Sequence, residues 1–228
     1  MRKHTTFTEN FPIVMTVNIA DLREDYRLKS LDFTDVTQDP FLQFNIWFQE
    51  AITSKILEPN AMVLATVSAG KPSARVVLLK GLTTEGFVFF TNYTSRKGVE
   101  LAENPHAALC FNWLDLQRQV RVEGVVKKIS EADSDAYFNS RPFGSRIGAW
   151  ASPQSQIIEN RSILEENLVE LTEKYKNTEG VSRPPHWGGY VLMPDLIEFW
   201  QGRSSRLHDR IRYQKTENGD WKMVRLAP

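Results

Sequence analysis

Five short segments concentrate residues that can hold anions or a flat polar ligand. The first is Thr91-Asn92-Tyr93-Thr94-Ser95-Arg96-Lys97-Gly98. Ser95 has the character of a helix N-cap, which puts Arg96 and Lys97 in the first turn of a short helix ending at Asn104-Pro105. Cations there oppose the helix dipole, and a phosphate on the free N–H groups would remove the conflict. A solvated basic turn is the alternative. The second is Arg206-Leu207-His208-Asp209-Arg210. Read as a strand, it turns Arg206, His208 and Arg210 to one face and Leu207 and Asp209 to the other. Three basic groups on one face repel unless something anionic lies among them. Carboxylates on a neighbouring strand would serve equally, and a buried, hydrogen-bonded ring would explain His208 alone.

In the third segment, Arg75-Val76-Val77-Leu78-Leu79-Lys80, an apolar run is flanked by two cations. A core strand with snorkelling ends explains it; so does an anion site. Arg75 and Lys80 differ in parity, so one site could use both only through a bulge, a strand end or a dimer. In the fourth, Gln117-Arg118-Gln119-Val120-Arg121, residues Gln117, Gln119 and Arg121 would share a face. That face is either exposed or satisfied by a heteroaromatic ring with carbonyls and ring nitrogens at its rim. The fifth holds Tyr137 and Arg141, four apart on an expected helix, then Ser145 after a Pro142/Gly144 exit. Together they could grip a phosphate; a plain helix end is the other reading. The joint message is two anion sites and a planar polar ligand. There is no Walker-type loop or GxGxxG, and no defensible Ser-His-Asp order.

The elements that must position these segments are mostly short strands. Asp39-Pro40 opens a helix, with Asp39 as N-cap, Pro40 at its first position, and Phe41, Phe44, Phe48, Ala51 and Ile52 as its apolar stripe. Strands are expected at Ala61–Ser68, Ser73–Lys80, Gly86–Thr91, Ala107–Trp113 and Gln117–Ile129, the last two joined by a tight Leu114-Asp115 turn. A helical insert at about 131–176, with a loop in its middle, precedes strands at Gly188–Trp200, Leu207–Gln214 and Trp221–Leu226. Asn218-Gly219-Asp220 turns the chain into the last. This pattern is α+β, mainly β: an antiparallel barrel with flanking helices.

Composition narrows the class. The 228 residues, 41% hydrophobic, suit one compact domain, with residues 1–20 expected to be a flexible arm. A single cysteine, Cys110, excludes an internal disulfide, and the scattered histidines predict no metal site. Zero net charge argues against nucleic acid as partner. No apolar run long enough to span a membrane and no secretory-type N-terminus is seen, so a cytoplasmic protein is expected.

These segments, with Gln119-Val120-Arg121-Val122-Glu123-Gly124, Ile147-Gly148-Ala149-Trp150, Glu198-Phe199-Trp200-Gln201-Gly202 and the closing Arg225-Leu226-Ala227-Pro228, resemble the pyridoxine/pyridoxamine 5′-phosphate oxidase family from about Leu22 onward. The resemblance implies an FMN-binding split β-barrel over residues 21–228. It implies a homodimer with FMN at the subunit interface, and oxidation of pyridoxamine or pyridoxine 5′-phosphate to pyridoxal 5′-phosphate, with molecular oxygen as acceptor and hydrogen peroxide as product. The FMN contacts it implies are Arg75, Val76, Val77, Leu78, Leu79, Lys80, Phe90, Thr91, Arg96, Lys97, Gln119, Gln154, Ser155, Trp200 and Arg210. The substrate contacts are Lys80, Tyr137, Arg141, Ser145, Arg206, Leu207 and His208, with Arg23, Glu24, Asp25 and Tyr26 as a segment that can fold over the substrate. Arg206 and His208 would be the catalytic pair. Phe143 departs from the family, standing where a basic residue is common. Another flavin reductase on the same barrel, or a non-catalytic FMN- or pyridoxal-phosphate-binding protein, remains the alternative.

Overall fold

A computed structural model describes residues 21–176 and 180–228; the expected arm at 1–20 lies outside them. The first long element is helix α1 (Pro40–Thr53), capped by the Asp39 carboxylate, which accepts from the N–H groups of Phe41 and Leu42. Its buried side is Pro40, Gln43, Phe44, Trp47 and Ala51. The stripe was expected to include Ile52, which is exposed; Trp47 takes a core position instead, because the apolar face is set by what the sheet offers it.

Nine antiparallel strands follow: β1 (Ala61–Ser68), β2 (Lys71–Leu78), β3 (Gly81–Leu82), β4 (Phe87–Asn92), β5 (His106–Trp113), β6 (Arg118–Lys128), β7 (Trp187–Gln201), β8 (Asp209–Lys215) and β9 (Trp221–Leu226). Helix α2 (Arg96–Glu103) joins β4 to β5, and α3 (Glu131–Ser140), α4 (Phe143–Ala151) and α5 (Ser162–Tyr175) lie between β6 and β7. Strands β1 and β9 and helix α2 stand where the sequence puts them. Strand β3 was not foreseen, being two residues long. The expected strand to Lys80 stops at Leu78, and the expected Leu114-Asp115 turn is a 3-10 turn over Leu114–Leu116 with Gln117 left-handed at φ 52°. Gln117 therefore stands outside β6 and does not share a strand face with Gln119 and Arg121.

The sheet runs β2-β1-β5-β6-β7-β4-β3, with β8 on β7 and β9 on β8. It curls so that the chain passes from edge strand β2 directly into β3, with the Lys80 N–H on the Val88 carbonyl, but the ladder stays open: a split barrel. Strand β7 makes the split. Along one edge it pairs with β6 from Tyr190 to Gln201; along the other it pairs with β4 from Trp187 to Leu192 and with β8 from Leu196 to Gln201. The changeover falls at Pro194-Asp195, where the register against β6 shifts between Glu123 and Gly124. Proline has no N–H for a ladder, and a bulge turns the strand.

Alternation along the strands sends Met62, Leu64, Leu109, Phe111, Val120, Val122, Ile197 and Phe199 into the barrel. Phe44 of α1 plugs it, 4.9 Å from the rings of both Phe87 and Phe111. Removing such a ring costs about 3–5 kcal/mol. A smaller core of Phe138, Ile147, Val181 and Trp187 lies under the helices.

Candidate functional site

The predicted residues gather into three groups. The first lies where β4 meets α2. Ser95 caps α2 by accepting from the Gly98 N–H, which places Arg96 and Lys97 in the first turn as expected. The Lys97 ammonium donates to Thr91 Oγ1 at 3.2 Å, to Gln154 Oε1 at 3.2 Å and to Ser95 Oγ at 3.4 Å. All three are neutral oxygens. Burial pushes the Lys97 amine below its ordinary value, Arg75 adds to the shift and Glu100 opposes it. Arg75 donates to Glu100 Oε2 at 2.8 Å and to Thr66 Oγ1 at 2.5 Å, while Arg96 reaches Glu100 Oε1 at 2.8 Å. Glu100, 5% exposed, thus fixes two guanidinium groups. Sequence reading missed it, although its four-residue spacing from Arg96 was a usable signal. Ser155, left-handed at φ 70°, lines a cleft of about 490 Å³ with Arg96 and Glu100.

The second group lies on the other side of β4. Phe90 and Thr91 are consecutive, so their side chains leave opposite faces. Phe90 stacks on Tyr137 (centroids 3.9 Å apart) and on Trp187 (5.4 Å). Lys80, Phe90 and Tyr137 line a cleft of about 600 Å³ with Lys127 and Lys128. Arg141 was expected one turn after Tyr137 on one helix. It is instead the extended C-cap of α3, at φ −77° and ψ 148°, because the residue before a proline is driven out of the helical region. It still meets Tyr137's group, since its guanidinium lies 4.6 Å over the Trp187 ring. Its Nη1 is buried with no hydrogen-bond partner, and burial lowers its pKa. Ser145 is exposed in the first turn of α4, next to this cap. Trp187 itself went unforeseen; only the fold shows that three rings and a cation share it. The parity of Arg75 and Lys80 is resolved by a strand end: Arg75 belongs to the first group and Lys80, beyond β2, to the second. Between them Val76 is exposed, Val77 and Leu78 are half-buried and Leu79 is buried.

The third group lies at the far end of β7. Gln119, Trp200 and Arg210 face one another across β6, β7 and β8. Arg210 pairs with both oxygens of buried Glu198, at 2.9 and 3.0 Å. The expectation that Arg206, His208 and Arg210 alternate along one strand is wrong: β8 starts at Asp209. Residues 204–206 form a 3-10 turn with Ser205 and Arg206 left-handed at φ 57° and 60°. Such a backbone costs non-glycine residues about 1–2 kcal/mol each. Arg206 and Leu207 are exposed. The His208 ring lies 4.6 Å from that of Trp200, and its Nδ1 accepts the Arg203 N–H at 3.1 Å. That contact leaves the proton of the neutral ring on Nε2. Burial, then Arg206, pull the His208 pKa down, with Asp209 opposing them. Tyr26 sits 5.9 Å from both Trp200 and His208. Residue 202 must be glycine for this, since a Cβ there would stand 2.7 Å from the Tyr26 ring. Of the predicted covering segment, Tyr26 is therefore at the third group. Asp25 pairs with Arg27, and Arg23 and Glu24 are exposed.

An unpartnered, buried guanidinium nitrogen and a half-buried ammonium among neutral oxygens both fit an oxyanion, one in each of the first two groups. The Gln119-Trp200-Arg210 row sets an indole between an amide and a guanidinium that Glu198 and the Ala227 carbonyl hold in place. These features suit a phosphorylated flavin and a phosphorylated substrate.

Two family models match the chain: pyridoxamine 5′-phosphate oxidase over residues 48–175, and the pyridoxine 5′-phosphate oxidase C-terminal dimerisation region over residues 187–228. A pyridoxine/pyridoxamine 5′-phosphate oxidase of Ralstonia nicotianae is 58% identical over 92% of this chain and 99% of its own length. One from a Cyanothece species is 59% identical over 94% of this chain and 100% of its own. Among solved structures, PhzG from Burkholderia lata 383, in complex with tetrahydrophenazine-1-carboxylic acid, superposes with a TM-score of 0.83 at 30% identity, covering 90% of this chain and 100% of that one. An FMN-binding protein of Nostoc punctiforme shares the fold, with a TM-score of 0.68 at 18% identity over 85% of this chain and 100% of its own.

Proposed function

Because this chain belongs to the pyridoxine/pyridoxamine 5′-phosphate oxidase family of oxidoreductases, we propose that it oxidises pyridoxamine and pyridoxine 5′-phosphate to pyridoxal 5′-phosphate. FMN is the cofactor, molecular oxygen the electron acceptor and hydrogen peroxide the second product. The observation that carries this reading is the buried Nη1 of Arg141, which has no partner and stands beside Tyr137 and Trp187 where a substrate phosphate would lie.

Lys97, Arg96, Thr91, Gln154 and Ser155 would hold the FMN phosphate, with Arg75 kept in place by Glu100. Gln119, Trp200 and Arg210 would meet the ring system, and the Arg75–Lys80 segment would run along it. When bound, FMN would supply the two-electron acceptor for the substrate carbon, with oxygen as its reoxidant. Lys80, Tyr137, Arg141 and Ser145 anchor the substrate phosphate far from the reacting carbon, so that binding energy is used for alignment. His208, neutral and donating from Nε2, orients the pyridine ring together with Arg206, and Tyr26 shields that side from water.

The substrate-phosphate group lies by Trp187 and the Arg206/His208 group by Trp200, at opposite ends of β7. One substrate can touch both only if two chains combine, so the enzyme works as a homodimer with FMN and substrate at the interface. The dimerisation-region match and the exposed Val63, Val67 and Val76 on the outer sheet face support this. No helix among the described residues is long and apolar enough to cross a membrane, and we place the enzyme in the cytoplasm.

The test is an absorption spectrum of the FMN-loaded protein before and after anaerobic addition of pyridoxamine 5′-phosphate. Bleaching of the flavin band, with peroxide released on admitting air, is expected. A non-catalytic carrier would bind without bleaching, and a flavin reductase would bleach only with a nicotinamide donor.

A further inference from the structure

Three separate parts of the chain meet on the Asp209 carboxylate. Oδ2 accepts the Leu31 N–H at 3.0 Å and Arg203 Nη1 at 3.2 Å. Oδ1 accepts Arg225 Nη1 at 3.2 Å. Arg225 closes the knot by donating to the Leu31 carbonyl at 3.3 Å and pairing with Asp32 at 3.0 Å. Each of the joined parts carries something to the third group. The segment before Leu31 carries Tyr26, packed on Trp200 and His208. Arg203 begins the turn that carries Arg206 and His208, and its own N–H is bonded to His208 Nδ1. Arg225 belongs to the closing strand.

The turn needs such a tie. Two consecutive left-handed non-glycine residues, Ser205 and Arg206, would relax to an ordinary backbone if nothing held their ends. Arg203 holds both: its N–H is on His208 and its guanidinium is on Asp209. The Asp209 side chain is 19% exposed, so these charge-assisted bonds are only partly screened by water. The Leu31 side chain, 4% exposed, plugs into the main core and anchors the segment beside the knot.

We propose that Asp209 is a positioning residue that couples the Tyr26 segment to the Arg206/His208 turn, so that the two are ordered together or not at all. This rests on the reading above, in which Arg206 and His208 face the substrate. Asp209→Asn keeps the shape but removes the charge that gathers both guanidinium groups.

The experiment compares flavin-loaded wild type and Asp209→Asn by hydrogen–deuterium exchange and steady-state kinetics with pyridoxamine 5′-phosphate. Amides of residues 21–32 and 203–208 should lose protection together, while α2 and β4 keep theirs. The kcat should fall roughly tenfold to a hundredfold, the scale of a small misplacement near the chemistry. KM and flavin content should change little, since both phosphates are held elsewhere, and Asp209→Glu should recover part of kcat. Arg203→Gln, which cuts one tie and leaves the fold's core untouched, should loosen 203–208 first and serves if Asp209→Asn does not fold. Loss of protection in only one segment after Asp209→Asn, or in neither, overturns the coupling. Joint loss with unchanged kcat overturns the positioning role. If Arg206→Ala leaves kcat intact as well, the failure lies in the assignment of the turn to the substrate; if Arg206→Ala abolishes turnover, it lies with Asp209.

Discussion

Trp187 opens the fifteen-residue strand β7 and Trp200 stands one position before its end, separated by at most about 40 Å of chain at the ~3.3 Å rise per residue of an extended strand. The Arg141 guanidinium lies over the first, and the His208 ring packs at a tilt against the second. If the proposed substrate clamp and catalytic pair stand this far apart in one chain, mutants in the two should complement each other between chains. Arg206→Ala should lose most turnover while retaining flavin, and Arg141→Ala should lose most turnover at low substrate. Co-refolded at equal amounts, they should recover about a quarter of wild-type activity, because half the dimers are mixed and each has one intact site of two. No recovery in the mixture would place each site within a single chain.

Arg141 should govern substrate affinity more than turnover. Arg141→Met keeps the stacking volume and removes the charge-assisted bonds, worth about 1.5–3 kcal/mol, or roughly tenfold to a hundredfold in affinity. The measurement is KM for pyridoxamine 5′-phosphate at saturating oxygen; an unchanged KM contradicts the phosphate assignment.

Arg96→Ala combined with Lys97→Ala should release the flavin. Lys97 meets only neutral oxygens among the described residues, and buried Glu100, which loses Arg96, keeps its bonds from Arg75 and Thr66. The fold should survive, with circular dichroism near wild type and a colourless preparation. A double variant that remains yellow and flavin-saturated rules out this pair as the phosphate anchor.

Glu100 predicts an acid-sensitive fold. Burial would raise its carboxyl pKa, but bonds from Thr66, Arg96 and Arg75 win and hold it below the ordinary 4.5. A carboxylate with a depressed folded pKa stabilises the protein above its unfolded value and ceases to do so as pH falls through the folded one. Thermal midpoints should therefore drop as pH is lowered below about 4.5. Glu100→Gln should be less stable at neutral pH and show a flatter acid limb. Parallel pH curves for the two proteins would remove Glu100 from this role.

Local chemistry made much of the fold readable. The Asp39 and Ser95 caps, the runs that became β1 and β9, and the Gly219 turn at φ 90° depend on neighbours a few residues away. So did the family motifs, whose residues form the three groups. Two of the failures had local causes as well. The alternation expected for Arg206-Leu207-His208-Asp209-Arg210 gives way to a turn closed by Arg203, and Arg141 leaves its helix because Pro142 follows.

The order of residues along the chain decided which side chains could bind phosphate and where helices and hairpins begin, since capping, alternation and turn propensity act over one or two turns of backbone. Tertiary structure alone decided which cations share a site, that Glu100 and Trp187 organise two of them, and that the groups stand at opposite ends of β7. Those outcomes follow from strand pairing and a bulge at Pro194-Asp195, which join residues far apart in sequence through contacts no local pattern records.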